Sequence, residues 1–100
     1  MGKVEEAQEI LRVLGLPAAQ QNEMSALTFL ALTNLREDDR WKKAEPVRCR
    51  IHDILIFVRE AYGQDYAENT RETVRRQVIH QLEQARVVDR NPDNPTLSTN

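Results

Sequence analysis

The sequence predicts a mainly α protein, a small domain of four helices. Three observations carry that reading. Apolar residues recur at three- and four-residue steps in four separate segments. The 100-residue chain holds only three glycines and few β-branched runs, which disfavours sheet. Helix stop signals, Gly15 with Pro17 and later Gly63, fall where the periodic segments end.

Residues 3–14 read as the first helix, with Val4, Ala7, Ile10, Leu11 and Leu14 on one side. Residues 23–35 read as the second, opened by Asn22 or Ser25. Its stripe of Leu27, Leu30, Ala31 and Leu35 is widened by Phe29 and Leu32, so it should be the most buried helix. The charged run 36–40 closes it, and Trp41 and Pro46 follow. Residues 48–61 read as the third helix, with Ile51, Ile54, Leu55, Val58, Ala61 and Tyr62 facing inward and Gly63 as C-cap. Residues 70–86 read as the fourth. Asn69 is its expected N-cap, and Glu72 completes a capping-box pattern. Val74, Val78, Leu82 and Ala85 form its inner face, with Ile79 on the flank. A short strand is expected at 87–89 and a turn at 91–95. The folded unit is expected over residues 1–90, with 91–100 a Pro-rich turn and tail. Two helices joined by a short turn, then a strand and a turn, is the order of a winged helix-turn-helix with a short or incomplete β-wing.

Composition narrows the function. The net charge of −2 does not by itself point to nucleic acid, but the basic residues are collected. Arg40, Lys42, Lys43, Arg48 and Arg50 stand against Glu45 alone. Arg71, Arg75, Arg76 and Arg86 stand against Glu72 and Glu83. One cysteine, Cys49, allows no internal disulfide, suits a reducing cytoplasm and reads as a small packed side chain. No apolar run approaches the ~20 residues of a membrane span, and no signal peptide is visible. His52, His80 and Cys49 have no metal-ligand spacing, so neither a metal site nor a catalytic site is expected in this chain. His52 with Asp53 reads as a helix cap. Pro92–Asp93 reads as a turn, because no Glu-X-Lys follows it. Trp41, Tyr62 and Tyr66 read as core anchors.

The fourth helix holds the feature that needs explaining. Arg71, Arg75 and Arg76 crowd its N-terminal half, where exposed cations oppose the helix dipole by roughly 0.3–1 kcal/mol each. A bound phosphate reverses that sign. On a wheel of 100° per residue, the face opposite Val74 and Val78 holds Thr73, Arg76, Gln77, His80, Glu83 and Gln84. Arg suits guanine, Gln suits adenine, and Thr suits a thymine methyl. On this wheel Thr73, Arg76 and Gln77 lie deepest in a major groove. With DNA bound, Asn69, Thr70 and Arg71 would share a phosphate at the helix start, and Arg75 would reach backbone from the flank. The same polar face would also suit an ordinary solvated helix, or an acidic protein partner.

The segments "LGLPAAQQNEMSALTFLAL" (14–32), "YGQDYAENTRETVRRQVIHQLEQARVVDRNPDNP" (62–95) and the Trp41, Ala44, Pro46 spacing carry a resemblance. They are similar to the N-terminal domain of the BsuBI/PstI family of type II restriction endonucleases, over nearly the whole chain. The resemblance implies a winged-helix domain that binds double-stranded DNA, followed by a separate magnesium-dependent nuclease domain absent from this chain. It also implies a CTGCAG-like palindromic target, a protecting methyltransferase and a homodimeric full-length enzyme. Carried onto this sequence, the DNA contacts it implies are Asn69, Thr70, Arg71, Thr73, Arg75, Arg76, Gln77 and His80. The chain is then a fragment of a longer cytoplasmic protein that binds DNA without cutting it and needs no cofactor of its own. Two alternatives remain open at the level of sequence, a methylation-sensing winged helix and a protein-interaction or dimerisation domain.

Overall fold

A computed structural model of the protein describes residues 2–45, 47, 49–67 and 70–85. Among these residues, four helices pack around one core. Helix α1 is Lys3–Val13, α2 is Glu23–Thr33 and α3 is Ile51–Tyr62. Helix α4 spans 70–84 as three contiguous stretches. These are an α-turn at Thr70–Thr73, a π-helical segment at Val74–Ile79 and a closing α-turn at His80–Gln84. Short 3-10 turns sit at Ala18–Gln20 and Trp41–Lys43. The expected strand at 87–89, the turn at 91–95, the tail and Arg86 lie outside the described residues.

Helix α1 stops because Gly15 takes a φ of 92°, a conformation costly for a side chain. Its N–H donates to the Arg12 carbonyl at 3.1 Å, and the Leu16 N–H donates to the Leu11 carbonyl at 3.2 Å. Leu11 and Leu16 are both buried, which supplies the apolar contact of a Schellman end.

Helix α2 is the centre of the fold. Every residue from Ser25 to Thr33 is buried, as expected for a helix apolar on all sides. Asn22 caps it, its side-chain oxygen accepting from the Ser25 N–H at 2.8 Å. The buried threonine hydroxyls donate along the helix, Thr28 to the Met24 carbonyl and Thr33 to those of Phe29 and Leu30, whereas the buried Ser25 hydroxyl has no hydrogen-bond partner among the described residues. The helix ends two residues earlier than the periodicity suggests. Asn34 adopts the left-handed conformation, with φ 56°. The Leu35 N–H turns back onto the Leu30 carbonyl at 3.0 Å, and Leu35 is buried beyond the helix end. Asparagine tolerates this geometry better than other side chains with a Cβ. Helix α2 packs against α1, α3 and the π-helical part of α4.

The connection from α2 to α3 is anchored by Trp41. Its indole N–H donates to Glu6 at 2.9 Å, its ring lies 6.5 Å from that of Phe29, and the Lys3 ammonium sits 4.9 Å above it. The chain then runs beside the end of α2, with Glu45 and Val47 N–H groups donating to Thr33 and Leu32 carbonyls. Helix α3 starts at Ile51, three residues later than the periodicity suggests. Asp53 fixes that start by accepting from the Arg50 N–H at 3.0 Å, while His52 is exposed. Pro46 and Arg48 lie outside the described residues. Gly63, with φ 71°, closes α3. The Tyr62 hydroxyl donates to the Leu35 carbonyl at 2.6 Å, tying α3 to the end of α2. Cys49 is buried, and that burial raises its thiol pKa above the usual value, aided by the Asp53 charge.

Candidate nucleic-acid interface

The π-helical segment decides how α4 presents its side chains. In a π turn, residue i hydrogen-bonds to i+5, so each residue rotates by roughly 80–85° rather than 100°. Residue 79 then lies about 40–65° from residue 74, on the same face of the helix. In a regular α-helix it would sit on the flank, as the wheel in the sequence analysis has it. The structure accordingly buries Val74, Val78, Ile79 and Leu82 together. Four large apolar side chains reach the core through one widened turn.

The same widening moves the outward face. Glu72, Arg76, His80 and Gln84 are all exposed and fall in one row along α4. Gln77 is exposed beside that row, and Arg71 is exposed near the helix start. Thr73 and Glu83, outward on the regular wheel, are instead half-buried, as are Thr70 and Arg75. Asn69 lies outside the described residues. Of the eight residues expected to contact DNA, Arg71, Arg76, Gln77 and His80 are exposed on α4. Thr70, Thr73 and Arg75 stand at its edges.

Sequence reasoning missed Glu72 as a member of this surface, assigning it to a cap. Its carboxylate lies 3.0 Å from Arg76 Nε and 3.7 Å from Arg75 Nη1. An acid in the first helical turn also offsets the unfavourable placement of cations there. Exposed pairs of this spacing contribute about 0.3–0.5 kcal/mol each, so they orient more than they stabilise. Arg76 is 81% exposed in spite of its ion pair, so its guanidinium stays accessible to a partner. The signal that could have revealed this face was the apolar pair Val74 and Ile79, five residues apart.

The second basic segment is also at the surface. Arg40, Lys42, Lys43 and Arg50 are exposed, with Lys43 paired to Asp39 at 3.3 Å. The Arg36 N–H and the Lys43 ammonium hold the Asp39 carboxyl below its ordinary pKa. A shallow cavity of about 230 Å³ lies on α3, lined by Arg36, Asp53, Ile56, Phe57, Glu60 and Ala61. The Arg36 guanidinium stacks over the Phe57 ring there, at 5.2 Å. Among the described residues, no group of His, Cys, Asp and Glu side chains is arranged to hold a metal ion. No helix among them is long and apolar enough to cross a membrane.

Comparison with known proteins identifies the arrangement. The family described as BsuBI/PstI restriction endonuclease HTH domain matches residues 1–100. The type II restriction enzyme BsuBI of Bacillus subtilis is 46% identical over 97 residues, which is 97% of this chain and 31% of that protein. The type II restriction enzyme AplI of Arthrospira platensis is 29% identical over 90 residues, covering 90% of this chain and 28% of that protein. The chain therefore spans about a third of the length of these curated relatives. The solved structure of SdaI restriction endonuclease superposes with a TM-score of 0.88 at 23% identity. It covers 96% of this chain and 34% of that one, a likeness of fold. With four helices packed as in that structure and a family match along its whole length, this chain is a helix-turn-helix domain of the BsuBI/PstI restriction endonuclease family.

Proposed function

We infer that this domain binds duplex DNA for a type II restriction enzyme, with α4 in the major groove. The observation that carries the reading is the outward face of α4. Arg76, Gln77 and His80 project from it, with Arg71 and Arg75 alongside. Side chains of these types meet base edges, Arg through two hydrogen bonds to guanine and Gln through two to adenine. Arg71 and Arg75 are positioned for phosphates, which orient the protein on the duplex without reading sequence. The DNA-binding unit is residues 1–90, and the family resemblance implies the wider setting. Cutting belongs to a separate magnesium-dependent nuclease domain, and the target is a CTGCAG-like palindrome read by a homodimer in the cytoplasm. A palindrome matches two-fold protein symmetry, each half-site taking one copy of α4.

A salt titration of binding to duplexes with and without CTGCAG tests this reading. Arg76→Ala should weaken binding to the preferred duplex by ~1–3 kcal/mol and relax the sequence preference. Arg71→Ala should weaken binding to all sequences alike and flatten the log–log salt slope by about 0.9. If neither substitution altered affinity for any duplex, α4 would not be the DNA-facing helix.

A further inference from the structure

We propose that Glu72 is a specificity-determining residue that aims Arg76 and keeps phosphates off the reading row of α4. The inference rests on the assignment of α4 as the DNA-facing helix. Glu72 stands in the same exposed i,i+4 row as Arg76, His80 and Gln84. Duplex DNA carries about one negative charge per 1.7 Å of axis, so an acid on that row opposes general affinity. What the acid contributes instead is selectivity.

Two features give it that role. The first is aim. Glu72 approaches Arg76 on the Nε side, at 3.0 Å. The guanidinium is a planar fork of five N–H donors, so an acid at Nε leaves the two terminal nitrogens for a partner further out. Those nitrogens form the pair that meets guanine O6 and N7. Glu72 also lies 3.7 Å from Arg75, so one carboxylate ties both neighbouring arginines to the helix surface.

The second is rejection. A phosphate oxygen bound by Arg76 would lie within a guanidinium's width of the Glu72 carboxylate, because that carboxylate is 3.0 Å from Nε. Like charges at that distance penalise the wrong contact. A base edge carries no such penalty, and the cytosine amino group can donate to the acid. Misregistered and non-specific complexes lose the Arg76 contact, whereas the registered complex keeps it.

The test uses the 100-residue chain and two probes. One is a duplex selected by the wild-type chain from a randomised pool, and the other is a scrambled duplex of equal length. Glu72→Gln should tighten binding to the scrambled duplex by ~3- to 10-fold and steepen its salt slope by up to about 0.9. It should lower the selected-to-scrambled affinity ratio by about 5- to 10-fold. Glu72→Asp keeps the charge and shortens the reach, so it should lower the ratio without tightening the scrambled duplex. In an Arg76→Ala background, Glu72→Gln should change the ratio by less than about 2-fold, because the aimed group is gone. Matching circular dichroism melts keep the comparison between folded proteins. Equal tightening on both duplexes, or no change on either, overturns the proposal and leaves Glu72 an ordinary surface charge. A wild-type chain that binds duplexes with no preference refutes this inference alone. A wild-type chain that binds no duplex removes the reading of α4 beneath it.

Discussion

Ile79→Ala tests the feature on which the geometry of α4 depends. Ile79 is fully buried, 0% exposed, because the π-helical stretch brings it onto the face of Val74. In a regular α-helix, five residues turn through about 140°, and Ile79 would stand on the flank. The two arrangements predict different losses. Removing three buried carbons at about 0.8 kcal/mol each takes away roughly 2.4 kcal/mol of transfer free energy. The cavity left in the core raises the total toward about 3–4 kcal/mol, inside the range for buried Ile-to-Ala changes. A half-exposed flank position would lose about 1 kcal/mol and leave no cavity. Urea unfolding followed by circular dichroism separates the two. With a slope near 1.5 kcal/mol/M, the larger loss shifts the midpoint by roughly 2 M. His80→Ala, one residue on and exposed, should stay within about 0.5 kcal/mol. Ile79→Val should lose about 0.5–1.5 kcal/mol, which keeps the measurement usable if the alanine variant is too unstable. A loss near 1 kcal/mol for Ile79→Ala, with full losses at Val74→Ala and Val78→Ala, would refute the widened turn. The outward face would then revert to the regular wheel, with Thr73 and Glu83 on it beside Glu72.

Two further predictions concern how the helices are closed. Tyr62→Phe removes the hydroxyl that donates to the Leu35 carbonyl at 2.6 Å, and should lower stability by about 0.5–1.5 kcal/mol at neutral pH. Burial, reinforced by Glu37 and Asp39, raises the folded pKa of this phenol above its ordinary value of 10.0. Its stabilising contribution is therefore complete below about pH 10 and is lost as pH rises toward the folded pKa. Urea midpoints at about pH 8 and pH 11 should fall less in Tyr62→Phe than in the wild type, and an equal fall would sink the assignment. Asn34→Ala should lose about 1–2 kcal/mol, because the position has a φ of 56°, whereas Asn34→Gly should be near neutral by thermal melt. Equal losses for the two variants would mean that the left-handed end of α2 is not what closes it.

The first three helices were legible because their signals are local. Val4, Ala7 and Leu11 repeat at helical spacing, and Gly15 sits where a positive φ is needed. Asn22 is a side chain that caps. The ends were read less well, because tertiary contacts set them. Leu35 continues the apolar stripe of α2, yet it reaches the core from beyond the helix, across a left-handed Asn34. Asp53, three residues along from Arg50, moved the start of α3 to Ile51. The polar character of the α4 face was also legible, since Arg76, Gln77 and His80 are exposed in either helical geometry. Its membership was not. A wheel of fixed pitch cannot bury both Val78 and Ile79 opposite an outward Glu72. Core packing chose the pitch, and the half-burial of Thr73 and Glu83 beside an outward Glu72 followed from it.

The outward Glu72 bears on the crowding of arginines at the start of α4. Three cations near the positive end of a helix oppose its dipole, and nothing in local propensity favours them there. Glu72 partly resolves the conflict in the free protein by lying close to two of the three. Full neutralisation in a buried network would make the arginines poor ligands for anything else, since breaking such a network is costly. Here the pairs are at the surface and individually weak, and Arg76 remains largely exposed. The arginines are thus held in place at little energetic cost to their release. A helix arranged only for stability would place acids throughout its first two turns. Arginines held at the surface beside one exposed acid, just before a widened turn, are an arrangement that makes physical sense if further negative charge arrives with a partner.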